Sequence, residues 1–290
     1  MLTILFDGVA YGMLLFILAV GLAVTMGLMN FINLAHGAFA MVGGYATVVL
    51  MQRHQVPFLW CLPIAFGLSA LIGAVLERSL YRPMYKRPHL DQVLFTIGLT
   101  FMAVAAMDYA MGSSQQIVQL PEWLKGRTEL GDGAWMLGMG HYRLFIIAVC
   151  AALTLGLQCV LAKTRFGSRL RAAVDDQRVA AGLGINVNLV FLSTFAVGSG
   201  LAGLGGALGA EVLGLDPTFP LKFMVYFLIV VAVGGTSSIT GPLLAALLLG
   251  IADVAGKYYI PKLGAFIVYS LMIVILIWRP QGLFVRKGGK

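Results

Sequence analysis

Charge is scarce in this chain. Only 11% of its 290 residues are Asp, Glu, Lys or Arg, and 60% are hydrophobic. A soluble domain carries roughly 25% charged and 45–50% apolar residues, so the composition excludes a water-surrounded fold and indicates an integral membrane protein. Long polar runs are missing too: the longest, residues 112–142, is too short for a domain of its own. Cysteine is nearly absent. Cys61, Cys150 and Cys159 lie inside apolar runs without paired spacing, so they are expected to be small core residues, neither disulfide partners nor metal ligands. The opening residues MLTILFDGVAYG lack the basic segment of a secretory signal and carry Asp7 instead, so they are expected to belong to the mature protein.

The motifs of catalysis are missing as well. Without a G-x-x-x-x-G-K-[ST] loop, no nucleotide hydrolysis is expected from this chain alone. There is no H-E-x-x-H and no Cys/His cluster; of His36, His54, His89 and His141 only His36 sits among apolar neighbours. Ser237 and Ser238 have no base near them in sequence. Residues 198–203, GSGLAG, have the form of a dinucleotide fingerprint, but no strand precedes them, so we reject it. Asp108, Glu211 and Asp253 fall near the ends of apolar runs, where snorkelling and capping account for them; an ion-driven pump needs such groups deep in the bundle. The expectation is a non-enzyme without cofactor or metal. The formal charge of +8 fits orientation signals and anionic lipid better than nucleic acid.

What is present is a series of apolar runs near the 20 or so residues that cross a bilayer: 8–29, a second to about 51, 57–76, 93–111, 145–162, 188–210 and 263–278, with shorter ones at 221–233 and 242–255. Two interruptions stand out. Asn30, Asn33 and His36 lie between the first two runs, where hydrocarbon offers no partners. With Gly37, Gly43 and Gly44 beside them they suit a broken or re-entrant helix lining a cavity; a capped cytoplasmic turn is the simpler alternative. Gly234, Gly235, Thr236 and Ser237 open GGTSSITG between the two short runs, and interrupted, glycine-rich membrane segments point to a transport pathway. A plain turn is again the alternative.

Residues 163–187, KTRFGSRLRAAVDDQRVAAGLGINV, form a polar island with five of the twenty Lys and Arg residues: Lys163, Arg165, Arg169, Arg171 and Arg178. Gly167-Ser168 offers an N-cap, and Leu170, Ala173 and Val174 recur at helical spacing. Asp175 or Asp176 is expected to start a second short helix ending near Gly182 or Gly184. The island, the stretch 77–92 (Arg78, Arg82, Lys86, Arg87) and the tail (Arg279, Arg286, Lys287, Lys290) hold thirteen of the twenty basic residues, which assigns them to the cytoplasm. Residues 112–142 then lie outside, with Glu122, Glu129 and Asp132 against Lys125 and Arg127, and with Trp123, Trp135 and Tyr142 in an interfacial belt. The expected fold is all-α: one transmembrane domain over 1–290, a bundle of eight or nine transmembrane helices with broken or re-entrant segments, external N-terminus and cytoplasmic C-terminus.

Four stretches, in order along nearly the whole chain, carry a family resemblance. LMNFINLAHGAF at 28–39 resembles the N-F-A-H-G segment of branched-chain amino acid ABC permeases of the LivH type. The island is similar to that family's T-x-x-G-x-x-x-R-A…D…A…x-G-I-x-V loop through Thr164, Gly167, Arg171, Ala172, Asp176, Ala180, Gly184, Ile185 and Val187. Residues 233–242 and 279–284 resemble its G-G-x-G-S-x-x-G-P and R-P-x-G-L-F segments, with Thr236 where Gly is common and Asp176-Gln177 where Asn-Pro or Asp-Pro is. The resemblance implies one permease subunit of an ATP-driven importer in the bacterial inner membrane. Its partners would be a LivM-type permease, two cytoplasmic ATPases and an external substrate-binding protein, and its solute a branched-chain or related amino acid. Relatives that move urea or short amides keep that solute open, and an ion-coupled transporter or channel is the competing class. On this footing Asn30, Asn33, His36, Gly37, Gly234, Gly235, Thr236 and Ser237 are expected to shape the pathway. Gly167, Arg171, Asp176, Ala180, Ala181 and Gly184 are expected to couple to the ATPase.

Overall fold

The computed structural model describes residues 1–29, 31–130, 137–235, 238–279 and 282–283. The apolar runs fold as helices because a helix satisfies its backbone polar groups within itself, which a hydrocarbon surround requires. Among the described residues six helices are long and apolar enough to cross a membrane, and two shorter apolar helices accompany them. At the centre are α1 (Leu2–Met29) and α9 (Val187–Leu213). Around them pack α2 (His36–His54), α3 (Phe58–Leu76), α10 (Phe219–Gly234) and α11 (Thr240–Tyr259). The apolar window of α1 is 78% buried; those of α5 (His89–Met111) and α6 (His141–Lys163) are 11% and 17% buried. The two latter helices therefore form an outer wall with most of their apolar surface uncovered. α12 (Gly264–Trp278) packs on α10 and α11.

Small residues let the central helices touch backbone to backbone, the contact that substitutes for a hydrophobic drive inside a membrane. A side chain at Gly206 of α9 would run into the Ala40 carbonyl of α2. The rejected fingerprint at 198–203 lies in the middle of α9, where Gly203 admits the Ser69 hydroxyl of α3.

Two expectations about the connections need correction. First, α3 does not end at residue 76. It continues through a π-helical turn, Glu77–Tyr81, into α4 (Arg82–Met84), and α5 begins already at His89. The polar residues there sit on a helix that outlasts its apolar run. Second, residues 112–140 hold a 3-10 turn, Glu122–Leu124, and an antiparallel pair, β1 (Arg127–Leu130) and β2 (Leu137–Gly140), in the register Arg127↔Gly140 to Leu130↔Leu137. Here two short segments satisfy their backbones by pairing with each other. Tyr142 is no belt residue: it is buried, donating its hydroxyl to the Leu208 carbonyl of α9 at 2.6 Å. Cys61 and Cys150 are buried as expected, whereas Cys159 is exposed on α6.

Candidate functional site

The basic island folds as two short helices, α7 (Arg165–Asp175) and α8 (Gln177–Gly182). The N-cap of α7 is Thr164, not Gly167-Ser168: its Oγ1 accepts from the Gly167 amide at 3.3 Å. Gly167 serves instead for close approach, since any side chain there would strike the Leu161 carbonyl near the end of α6. The Arg171 guanidinium donates to that same carbonyl, tying α7 to the end of α6. Asp176 caps α8, its Oδ1 accepting from the amides of Arg178 (2.8 Å) and Val179 (3.0 Å).

The far end of α8 closes with the expected left-handed glycine, Gly184 at φ +81°. The Gly184 amide donates to Ala181 O (3.0 Å) and the Ile185 amide to Ala180 O (3.1 Å), the two bonds of a Schellman motif. Leu170, Ala173 and Ala180 are buried beneath the pair against the bundle. Ala180 is therefore structural and cannot belong to an outward docking face; Ala181 is exposed. Around Ala181 the outward face is apolar, with Val179 58% and Leu183 75% exposed. The pair, α7 pinned by an arginine and α8 capped at both ends beside bare valine and leucine, forms a rigid knob.

The other interruption lies between α1 and α2. After Met29 the chain doubles back, so that His36 at the start of α2 reaches the Leu18 carbonyl, Nε2 to O 3.0 Å. Leu18 is about three turns, roughly 16 Å, before the end of α1. The ring of His36 is buried against Gly21 and the aromatic faces of Phe39 and Phe227. Asn33 is buried as well: its Oδ1 accepts from the Tyr81 hydroxyl at 3.1 Å, and its Nδ2 has no partner among the described residues. The exposed backbone of the fold-back is satisfied by α5, where Gln92 Oε1 accepts from the Ile32 amide (3.3 Å) and Thr96 donates to the Ile32 carbonyl (3.4 Å). A Cβ at Gly37 would come within 3.0 Å of the Pro220 backbone of α10, so the two chains touch there. Asn33, His36 and Gly37 are thus brought together and packed by protein. Asn30 lies outside the described residues.

Between α10 and α11, Gly234 is pressed on Pro242, and Gly235 takes φ +79°. Gly282 and Leu283 fold back onto this turn, the Leu283 amide donating to Val233 O at 2.8 Å. Thr236 and Ser237 lie outside the described residues.

Several polar groups in the bundle escaped the sequence argument. Asp253 is 1% exposed and held by Lys257 one turn on (2.5 Å), with the Tyr226 hydroxyl 3.5 Å away, so snorkelling does not describe it. Glu77 is fully buried in the π-turn: Tyr85 donates to Oε1 (3.2 Å), Arg82 Nε stands 3.9 Å off, and Oε2 has no partner among the described residues. Tyr81, the partner of Asn33, shares this turn. A signal did exist, because Glu77, Tyr81 and Tyr85 recur every fourth residue and so share a helical face.

A helical bundle with uncovered apolar walls, a hydrogen-bonded polar fold-back inside it and a rigid basic knob at one end defines a multi-pass membrane protein of the transport class. More narrowly, the chain belongs to the family described as branched-chain amino acid transport system / permease component, whose model matches residues 4–276. It is 26% identical over 294 residues to the high-affinity branched-chain amino acid transport system permease protein BraD of Pseudomonas aeruginosa, covering 97% of this chain and 95% of that one. Likeness to LivH of Escherichia coli (strain K12) is 26% over 293 residues, 97% and 94% of the two chains. LivM of the same organism, a permease protein of the same description, is also 26% identical, over 93% of this chain and 68% of its own. No solved structure matches. The chain is therefore a transport permease.

Proposed function

We propose that this permease is one membrane subunit of an ATP-driven importer of branched-chain or related amino acids. A LivM-type subunit would pair with it, two cytoplasmic ATPases would bind the α7–α8 knob, and an external binding protein would deliver solute at the hairpin end. The observation that carries this reading is the knob: stiff, basic and capped at both ends, with Val179 and Leu183 exposed. ATPase motion reaches the bundle only through such a stiff contact. In this reading α1, α2, α3, α5, α6, α9, α10, α11 and α12 cross the membrane as nine helices. The fold-back before α2 and the turn at 235–239 are its broken segments, with Asn33, His36, Gly37, Gly234 and Gly235 shaping the pathway. Asn30, Thr236 and Ser237 join them by their place in the sequence.

Ala181→Trp adds bulk to the knob's face and keeps its charge. Transporter purified with its ATPases should lose them or lose solute-stimulated hydrolysis in that variant. Retention of both overturns the coupling role. An ion-coupled transporter is separated by proteoliposomes holding this chain alone: uptake driven by an ion gradient without ATPase or binding protein would establish that class instead.

A further inference from the structure

A small cavity of about 260 Å3 lies where the α3 extension meets the start of α9, lined by Arg78, Arg82, Asn186, Asn188, Leu189 and Leu192. No acidic side chain lines it. Arg78 makes no hydrogen bond or ion pair within 4 Å among the described residues, and Arg82 has only Glu77, 3.9 Å from its Nε on the buried side. The Glu77 carboxylate acts electrostatically on both arginines but is buried away from the cavity, so two like charges four residues apart on one helical face still repel each other there. Asn186 uses its Oδ1 to cap the Leu189 amide (3.0 Å), which leaves its own amide donors free.

The apolar side of the cavity is continuous with bare hydrocarbon surface. Leu189 is 57% exposed, and Leu71 and Val75, spaced along α3 ahead of Arg78, are 62% and 59% exposed. Guanidinium groups at the end of an exposed apolar wall match a phosphodiester that carries acyl chains. The volume is below the range of drug-sized ligand pockets and suits one head group.

We propose that this cavity is a specific site for the head group of one anionic phospholipid. Its acyl chains lie along Leu189, Leu192, Val75 and Leu71, and the lipid braces the α3 extension against the base of α9. Arg78 and Arg82 grip the phosphodiester. Asn186 and Asn188 donate to its ester or glycerol oxygens. The site belongs to the leaflet that faces the basic island, and binding can be read without any transport measurement. Failure of the coupling reading would therefore leave the lipid result intact, and the reverse holds too.

The test is native mass spectrometry of the purified full chain, stripped of lipid in detergent and titrated with phosphatidylglycerol or phosphatidylcholine. The wild type should hold one phosphatidylglycerol roughly thirty-fold more tightly than phosphatidylcholine, the preference expected from two arginines at a membrane surface. R78Q/R82Q should bring the two lipids level. Asn188→Phe, which fills the cavity while both arginines remain, should do the same, and Arg169→Gln on α7 should change nothing. Undiminished preference in both cavity variants overturns the site. Displacement of the lipid by millimolar inorganic phosphate overturns it in favour of a soluble anion. Loss of co-purifying subunits in R78Q/R82Q, with lipid preference unchanged, overturns it in favour of a protein occupant.

Discussion

Among the described residues the buried Asn33 Nδ2 has no hydrogen-bond partner, and a buried donor in that condition calls for an explanation either in function or in packing. Replacing it separates the two. Asn33→Leu orphans the buried Tyr81 hydroxyl, at a cost of about 1–3 kcal/mol. Adding Tyr81→Phe removes that orphan and should restore most of the melting temperature. If Asn33 shapes the pathway, uptake stays low in the double variant although the protein is stable again; recovery of uptake along with stability makes Asn33 a packing residue. The cluster was legible as polar residues in an apolar run. Its partners were not, because Tyr81, Gln92 and Leu18 are distant in sequence and meet Asn33, Ile32 and His36 only once the chain has doubled back.

A second residue-scale outcome concerns pH. Asp216 lies in the turn between α9 and α10. Burial pushes its carboxyl up, but the Lys222 ammonium together with the hydroxyl and amide of Thr218 outweighs burial and holds it below the usual carboxylate value. A depressed carboxyl contributes stability that is fully present above its unfolded pKa and is lost as pH falls through the lower folded one. Purified wild type should therefore lose more melting temperature than Asp216→Asn on going from pH 7 to about pH 3, below the ordinary Asp value. Equal losses would show that the pairing adds nothing.

At the scale of elements, the α7–α8 pair sets buried against exposed alanine. Ala180 has no room, so Ala180→Trp should lower folded yield and melting temperature, as overpacking does by about 1–3 kcal/mol. Leu183→Glu on the exposed face should melt like the wild type and still shed its ATPases. Gly184→Val forces a β-branched residue to φ +81° and should cost about 1–2 kcal/mol. Matching melting curves and unchanged subunit retention in all three would leave the knob without a role. The two helices were readable from Asp176, Gly184 and the spacing of Leu170 and Ala173. Which alanine faced outward was not readable, since six residues of α8 are too few to fix a face. The π-turn was hidden for another reason: its charged residues look like a loop, and only burial of Glu77 beneath Tyr85 makes them helical.

Across the whole molecule, the two ends treat positive charge differently. Toward the hairpin end five of seven cations are matched: Arg143 with Asp7, Lys125 with Glu122, Arg127 with Glu129, Lys222 with Asp216 and Lys257 with Asp253, while Arg53 and Lys262 have no carboxylate within 4 Å among the described residues. At the island end Arg82 alone has a carboxylate within 4 Å among the described residues, and that contact is 3.9 Å. It is the number of Lys and Arg in short connections that resists translocation, and thirteen of the twenty lie at the island end, so that end should be cytoplasmic and the hairpin end external. The antiparallel course of α6, between the hairpin and the island, makes this a test of one helix. In a Cys159→Ser background, whose remaining Cys61 and Cys150 are buried, a cysteine is placed at exposed Ser113 or at exposed Ser168. An impermeant thiol reagent should label Ser113→Cys in intact spheroplasts and Ser168→Cys only after lysis. The opposite pattern would invert the molecule, place the knob beyond the reach of any cytoplasmic ATPase and remove the proposed coupling with it. Labelling of both sites in intact cells would mean that α6 does not cross, and the nine-helix arrangement would go with it.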